Sequence, residues 1–187
     1  MNKLIAVCEH YAGVIALSFI LCVSAGMNVY FLEKLQRSVA AIPFGVQESA
    51  DLSVVMLQDV DGSKVNMRLN DGRESILYVF SPACIYCQKN LMNIKALADN
   101  TGKSYRFIGL SNTKQNLASY VSDTKLPFPV YVKRDNVEQK ALDLSETPQT
   151  ILVGADGHVK KVWRGAFDSE TQGQVEKYFA VRLPGLS

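Results

Sequence analysis

No Lys, Arg, Asp or Glu interrupts the chain between Glu9 and Glu33, where it reads HYAGVIALSFILCVSAGMNVYFL. As an α-helix this run would extend about 34 Å at about 1.5 Å per residue, enough to cross a hydrocarbon core of about 30 Å with modest tilt. Tyr11 and Tyr30 stand near its two ends, where amphipathic aromatics favour the membrane interface. A core helix of a globular domain would carry a polar stripe, and this run has none. A cleaved secretory signal, with Val39 and Ala41 as the small residues before the cut, would have an apolar region of only about 7–15 residues. Here the run is longer, and the charged stretch EKLQR separates it from that site. The expected organisation is therefore a tail (1–10), a transmembrane anchor (11–32), a linker (33–47) and one folded domain (48–187).

Lys3 and the amino terminus lie on one side of the anchor against Glu9, with Lys34 and Arg37 on the other, so the positive-inside count favours neither orientation. The expected arrangement keeps the short tail in the cytoplasm and exports the larger domain across the cytoplasmic membrane. A net charge of +2 gives no reason to expect nucleic acid as a partner.

From about Gly45 onward the composition becomes mixed, leaving about 140 residues, enough for one domain with its own core. Leu52–Leu57 and Val65–Leu69 read as two strands around the turn signal Asp61-Gly62. The run ILYVF that follows is continuously apolar and suits a central strand covered on both faces. Leu91, Ile94, Leu97 and Ala98 recur at helical spacing until Gly102. After the strand YRFIGLS, a helix is expected from about Asn112, with Asn112 as its cap and Leu117 and Val121 on one face. LPFPVYV gives a further strand, and Val137, Ala141 and Leu144 a short helical face. TPQTILVG and HVKKVWRG form a hairpin around ADG, and Ser169 with Gln172 resembles a capping box opening a last helix. Strands alternating with helices, then a terminal hairpin, predict a three-layer α/β domain with a mixed central sheet.

Directly after ILYVF comes FSPACIYCQKN, which places Cys84 and Cys87 two residues apart at a strand-to-helix junction. There the sulfur of Cys84 meets unpaired backbone N–H groups and the positive end of the helix dipole, which favour thiolate over thiol. Cys87, one helical turn on, lies close enough to bond Cys84 and resolve a mixed disulfide formed on it. A metal half-site would need two further soft ligands, yet the other cysteines are Cys8 and Cys22, in or beside the anchor, and the histidines are His10 and His158. A structural cross-link over so short a loop would add little chain-entropy stabilisation. A peroxidase would use Cys84 alone, with the Ser81 hydroxyl near the peroxide, although Leu77 stands where that motif wants proline. A non-catalytic tethered adaptor needs neither cysteine.

FSPACIYC and the later ETPQTILVGADGHVKKVWRG together resemble the thioredoxin superfamily, in particular its membrane-anchored TlpA/ResA-like branch, over about residues 48–182. SPxCxxC is also similar to MauD-like proteins. The resemblance implies a thioredoxin-like fold and thiol-disulfide exchange through Cys84 and Cys87 with protein thiols and disulfides. It also implies a membrane or soluble electron partner and no dissociable cofactor. It places a cis-proline at Pro148, preceded by Thr147, whose backbone would offer a short edge to an extended substrate segment. The chain departs from the family in four places, the first being Pro82-Ala83 ahead of Cys84, where thioredoxins have Trp. Ile85-Tyr86 separates the cysteines, Tyr78 stands where thioredoxins bury a carboxylate, and Asn90 stands where some anchored reductases have Glu. Trp163 is expected in packing, His158 in solvent, and Lys160, Lys161 and Arg164 on a solvated strand face.

Overall fold

The computed structural model describes residues 17–34, 45–135 and 139–187. The tail 1–10 with Cys8 and His10, the anchor's first residues with Tyr11, the linker residues 35–44 with Val39 and Ala41, and Val137 lie outside the described residues. Leu17–Lys34 forms one helix, α1, long and apolar enough to cross a membrane. Its side chains are exposed throughout. The Asn28 amide turns back on the helix, Nδ2 donating to the Ser24 carbonyl at 2.8 Å, and Cys22 is a free thiol.

The second unit packs around a seven-stranded sheet of order β2-β1-β5-β4-β3-β6-β7. Its strands are β1 (Val54–Asp59), β2 (Lys64–Arg68), β3 (Ser75–Phe80), β4 (Arg106–Ser111), β5 (Val130–Lys133), β6 (Gln149–Val153) and β7 (Val159–Arg164). The central trio β3, β4 and β5 is parallel, and the flanking pairings are antiparallel, so the sheet is mixed. Helices α2 (Ile85–Lys89), α3 (Leu91–Thr101), α4 (Leu117–Thr124) and α5 (Ser169–Phe179) complete the unit.

Every residue of β3 is buried, as its continuous apolar run requires. Its side chains alternate between two cores. Ile76, Tyr78 and Phe80 pack with Ile94 and Leu97 of α3, Leu117 of α4 and Val175 of α5. Leu77 and Val79 pack on the other face with Ile108, Leu110 and Ile151, under a cover that includes Val46, Leu52, Leu69, Leu142 and Leu144. Within β4 a side chain at Gly109 would come within 3.0 Å of Phe128 and Val130, so glycine lets the Phe128 ring lie against the strand.

Several elements differ from those expected, because polar groups of the backbone or of side chains take other hydrogen-bond partners. The helix after the cysteines breaks at Asn90, whose buried Oδ1 accepts from the Phe167 N–H and the Asn93 amide, each at 3.1 Å. Asn112 is not a cap, since its N–H donates to the Phe80 carbonyl at 3.0 Å and α4 starts at Leu117 behind Asn116. Asp168 caps α5 by accepting from the Thr171 N–H at 2.9 Å, while the Gln172 amide reaches Glu176 and the Leu183 carbonyl.

Residues 139–144 form no helix. Gln139 instead pairs with the Met56 backbone as a strand would, accepting its N–H at 2.7 Å and donating to its carbonyl at 2.9 Å. The domain also begins earlier than residue 48, because Val46 is buried and its N–H donates to Gln149 Oε1 at 3.1 Å.

Replacing Asn90 with Ala leaves the buried Phe167 N–H without its acceptor and should lower stability by about 1–3 kcal/mol. Denaturant unfolding of the two proteins checks this, and a difference below about 0.5 kcal/mol, the scale of an ordinary surface change, would show that the bond contributes little.

Candidate active site

Antiparallel pairing sets Val79 of β3 opposite Gln149 of β6, and parallel pairing sets Phe80 opposite Ser111 of β4. The loops that leave β3 and β4 and the loop that enters β6 therefore converge at one end of the sheet, where open α/β folds form their crevices. The first loop carries Cys84, and the last carries Thr147 and Pro148.

Cys84 is the N-cap of α2, in extended conformation at φ −80° and ψ 113°. Its Sγ accepts a hydrogen bond from the Cys87 N–H at 3.1 Å, satisfying one of the unpaired donors of the first turn. The two sulfurs are paired as a disulfide, with Cα atoms 5.2 Å apart. Cys84 is partly exposed, whereas Cys87 is fully buried in the cluster that holds Tyr78, Phe80 and Ile94. Only one sulfur of the pair is open to an incoming reactant.

The Thr147–Pro148 peptide is cis. The Thr147 carbonyl oxygen lies 3.8 Å from Cys84 Sγ, although 63 residues separate them in sequence. This loop is tied down at several points. Gln149 Nε2 donates to the Glu146 carbonyl at 2.7 Å, the Pro148 carbonyl accepts from the Gly165 N–H at 2.9 Å, and Arg164 Nε stands 3.4 Å from Glu146 Oε2. Asp143 accepts from the N–H groups of Gly45 and Ser145, both at 2.9 Å. Gly45, at φ +74°, leaves room for Gln149, because a Cβ there would sit 2.6 Å from Oε1.

The fold thus brings together Cys84, Cys87, Thr147 and Pro148, the four residues expected from the sequence, and adds Gln149 and Asn90 as supports that were not expected. The visible signal for Gln149 was a lone amide opening the apolar strand QTILV. Tyr78 stacks on Phe80 at 5.6 Å and Phe80 on Tyr120 at 5.3 Å. Burial pushes the Tyr78 hydroxyl far above the usual phenol range, so at neutral pH it adds no charge to the core around Cys87. Trp163 is buried against Tyr178 and Phe179, and His158 is exposed. Lys160, Lys161 and Arg164 each face a glutamate, namely Glu74, Glu48 and Glu146.

Residues 48–162 match the model of the AhpC/TSA family. The chain belongs to the AhpC/TSA family. This family member is 22% identical to the thiol-disulfide oxidoreductase ResA of Bacillus subtilis over 169 residues, which cover 89% of each chain. It is also 22% identical to the sporulation thiol-disulfide oxidoreductase A of the same organism over 124 residues, 63% of this chain and 74% of that one. The crystal structure of StoA from Bacillus subtilis superposes with a TM-score of 0.53 at 19% identity, covering 67% of this chain and 98% of that chain. The fold of this AhpC/TSA domain is accordingly thioredoxin-like, with the mixed sheet at its centre.

The Ser145 hydroxyl, followed by the N–H groups of Ser145 and Gly45, holds the Asp143 carboxyl below its ordinary value of 3.8, against the opposing effect of partial burial. A depressed carboxylate contributes stability that is complete above the unfolded value and disappears as pH falls through the folded one. Thermal unfolding from about pH 6 to about pH 2 should therefore show the wild type losing more stability below about pH 4 than Asp143→Asn does. Parallel acid slopes for the two proteins would remove this carboxylate from the support of the site.

Proposed function

We propose that this chain is a membrane-anchored thiol-disulfide oxidoreductase acting on protein thiols and disulfides at the outer face of the cytoplasmic membrane. The observation that carries the reading is the asymmetry of the pair: an accessible Cys84 at a helix start, bonded to a buried Cys87 and facing the Thr147 carbonyl beside a cis-proline. The family membership and the similarity to two proteins named thiol-disulfide oxidoreductases support it.

In the reducing direction, the Cys84 thiolate attacks one sulfur of a substrate disulfide. That S–S bond breaks, and the departing substrate sulfur leaves as a thiolate that takes up a proton. Cys87, having lost its proton, then attacks Cys84 Sγ; the mixed disulfide breaks, the second substrate sulfur leaves, and the Cys84–Cys87 disulfide forms. In the oxidising direction the same steps run backwards, and the pair takes two electrons from a substrate dithiol. Thr147 and Pro148 form the docking edge, to which an extended substrate segment pairs next to Cys84. No dissociable cofactor enters, since the two sulfurs carry the electrons. Helix α1 anchors the domain and restricts it to partners at the membrane surface, among them the protein that resets its redox state.

The test is trapping in membranes. Cys87→Ser, unable to resolve, should accumulate mixed disulfides with other proteins that dithiothreitol releases, and Cys84→Ser should accumulate none. Equal trapping by both variants would overturn the assignment of Cys84 as the attacking sulfur. Peroxide consumption by Cys87→Ser at the wild-type rate, with no mixed disulfide, would point instead to a one-cysteine peroxidase.

A further inference from the structure

A groove of about 400 Å³ opens beside the cysteine pair, between the 81–83 loop and α4. One wall ends at Ala83, the residue before Cys84, and the other is built from Gln115, Asn116, Ser119 and Asp123. Part of its lining is apolar and fixed: Tyr120 is half-buried, with its ring stacked on Phe80. Asn116 holds a left-handed conformation at φ 57°, which asparagine adopts more readily than other side-chain-bearing residues.

The charge balance in this groove is one-sided. Asp123 is the only charged residue in the lining, and its carboxylate has no ion-pair or hydrogen-bond partner among the described residues. The side chains of Gln115, Asn116 and Ser119 likewise make no hydrogen bond among the described residues. The neighbouring cation Lys114 is engaged by Asp135. An aromatic and aliphatic surface that leads to a free carboxylate and unused neutral acceptors suits a long side chain with an apolar stem and a cationic head.

We infer that this groove is a side-chain subsite for a Lys or Arg of the protein substrate, lying within a few residues of the cysteine that Cys84 attacks. The inference rests on the exchange reading above and adds a preference to it. The Thr147 edge orders the substrate backbone on one side of Cys84, and the groove reads side-chain charge on the other.

The test uses full-length reduced protein in detergent and nine-residue peptides whose central cysteine is held as a mixed disulfide with glutathione. A single Lys, Gln or Glu is walked through the three positions on either side of that cysteine. At one or two positions the wild type should react about fivefold faster with Lys than with Glu at low salt, and the ratio should shrink as salt is added. In Asp123→Asn the ratio should fall towards one, and in Asp123→Lys it should invert, an outcome that mere damage to the fold does not produce. Lys and Glu peptides reacting alike in the wild type, or a preference unchanged in both variants, would overturn the subsite while leaving exchange intact. Failure of the wild type to react with any peptide, Gln peptides included, would overturn exchange and the subsite together.

Discussion

The antiparallel pairing of β6 with β3 is the constraint on which the site depends. It fixes Gln149 opposite Val79, so the residues just before β6 must lie beside those just after β3. That register brings the Thr147 carbonyl to 3.8 Å from Cys84 Sγ across 63 residues of chain. A slip of one residue would turn every side chain of β6 to the opposite face. Because both faces of β6 are buried, such a slip would be costly, and the core thereby holds the reactive loops in place.

The same end of the sheet shows how buried polar groups shape a reactive edge. Gln149 and Asn90 are fully buried, and each is spent on backbone groups of a loop next to the pair: the 143–147 loop for one, the start of α5 for the other. Through these bonds, Gln149 by its amide and Asn90 by its Oδ1, they tie the loops down without placing charge near Cys87. With the neutral phenol of Tyr78 in the adjoining core, the environment of the Cys87 sulfur is apolar and uncharged, in contrast to the partly exposed cap position of Cys84. One fold feature, a strand running into a helix start, thus gives two cysteines with different access.

Much of this was legible in the sequence. The continuous apolar run of β3, the cysteine spacing and the turn glycines are local signals, and the alternation of strands and helices with a terminal hairpin points to a mixed central sheet. What was not legible came from long-range partners. Gln139 looked like part of a helical stretch because nothing nearby reveals that its amide docks on Met56, 83 residues away. Asn112 looked like a cap until β3 claimed its N–H, and Asp168 outcompeted Ser169 by a single position. The break at Asn90 depends on the Phe167 N–H, which no window of sequence around the cysteines contains. The pair and the cis-proline were recognisable from a family resemblance, whereas the supports that hold them needed the fold.

The most direct measurement is a redox titration of the full-length protein in glutathione and dithiothreitol buffers, with thiol trapping to count the Cys84–Cys87 disulfide. A single reversible two-electron couple, at a potential between about −270 mV and about −120 mV, is the result expected of a disulfide exchanger, and its value would set the direction of electron flow. Absence of a reversible couple, with the pair remaining oxidised or reduced throughout, would contradict thiol-disulfide exchange as the work of this domain.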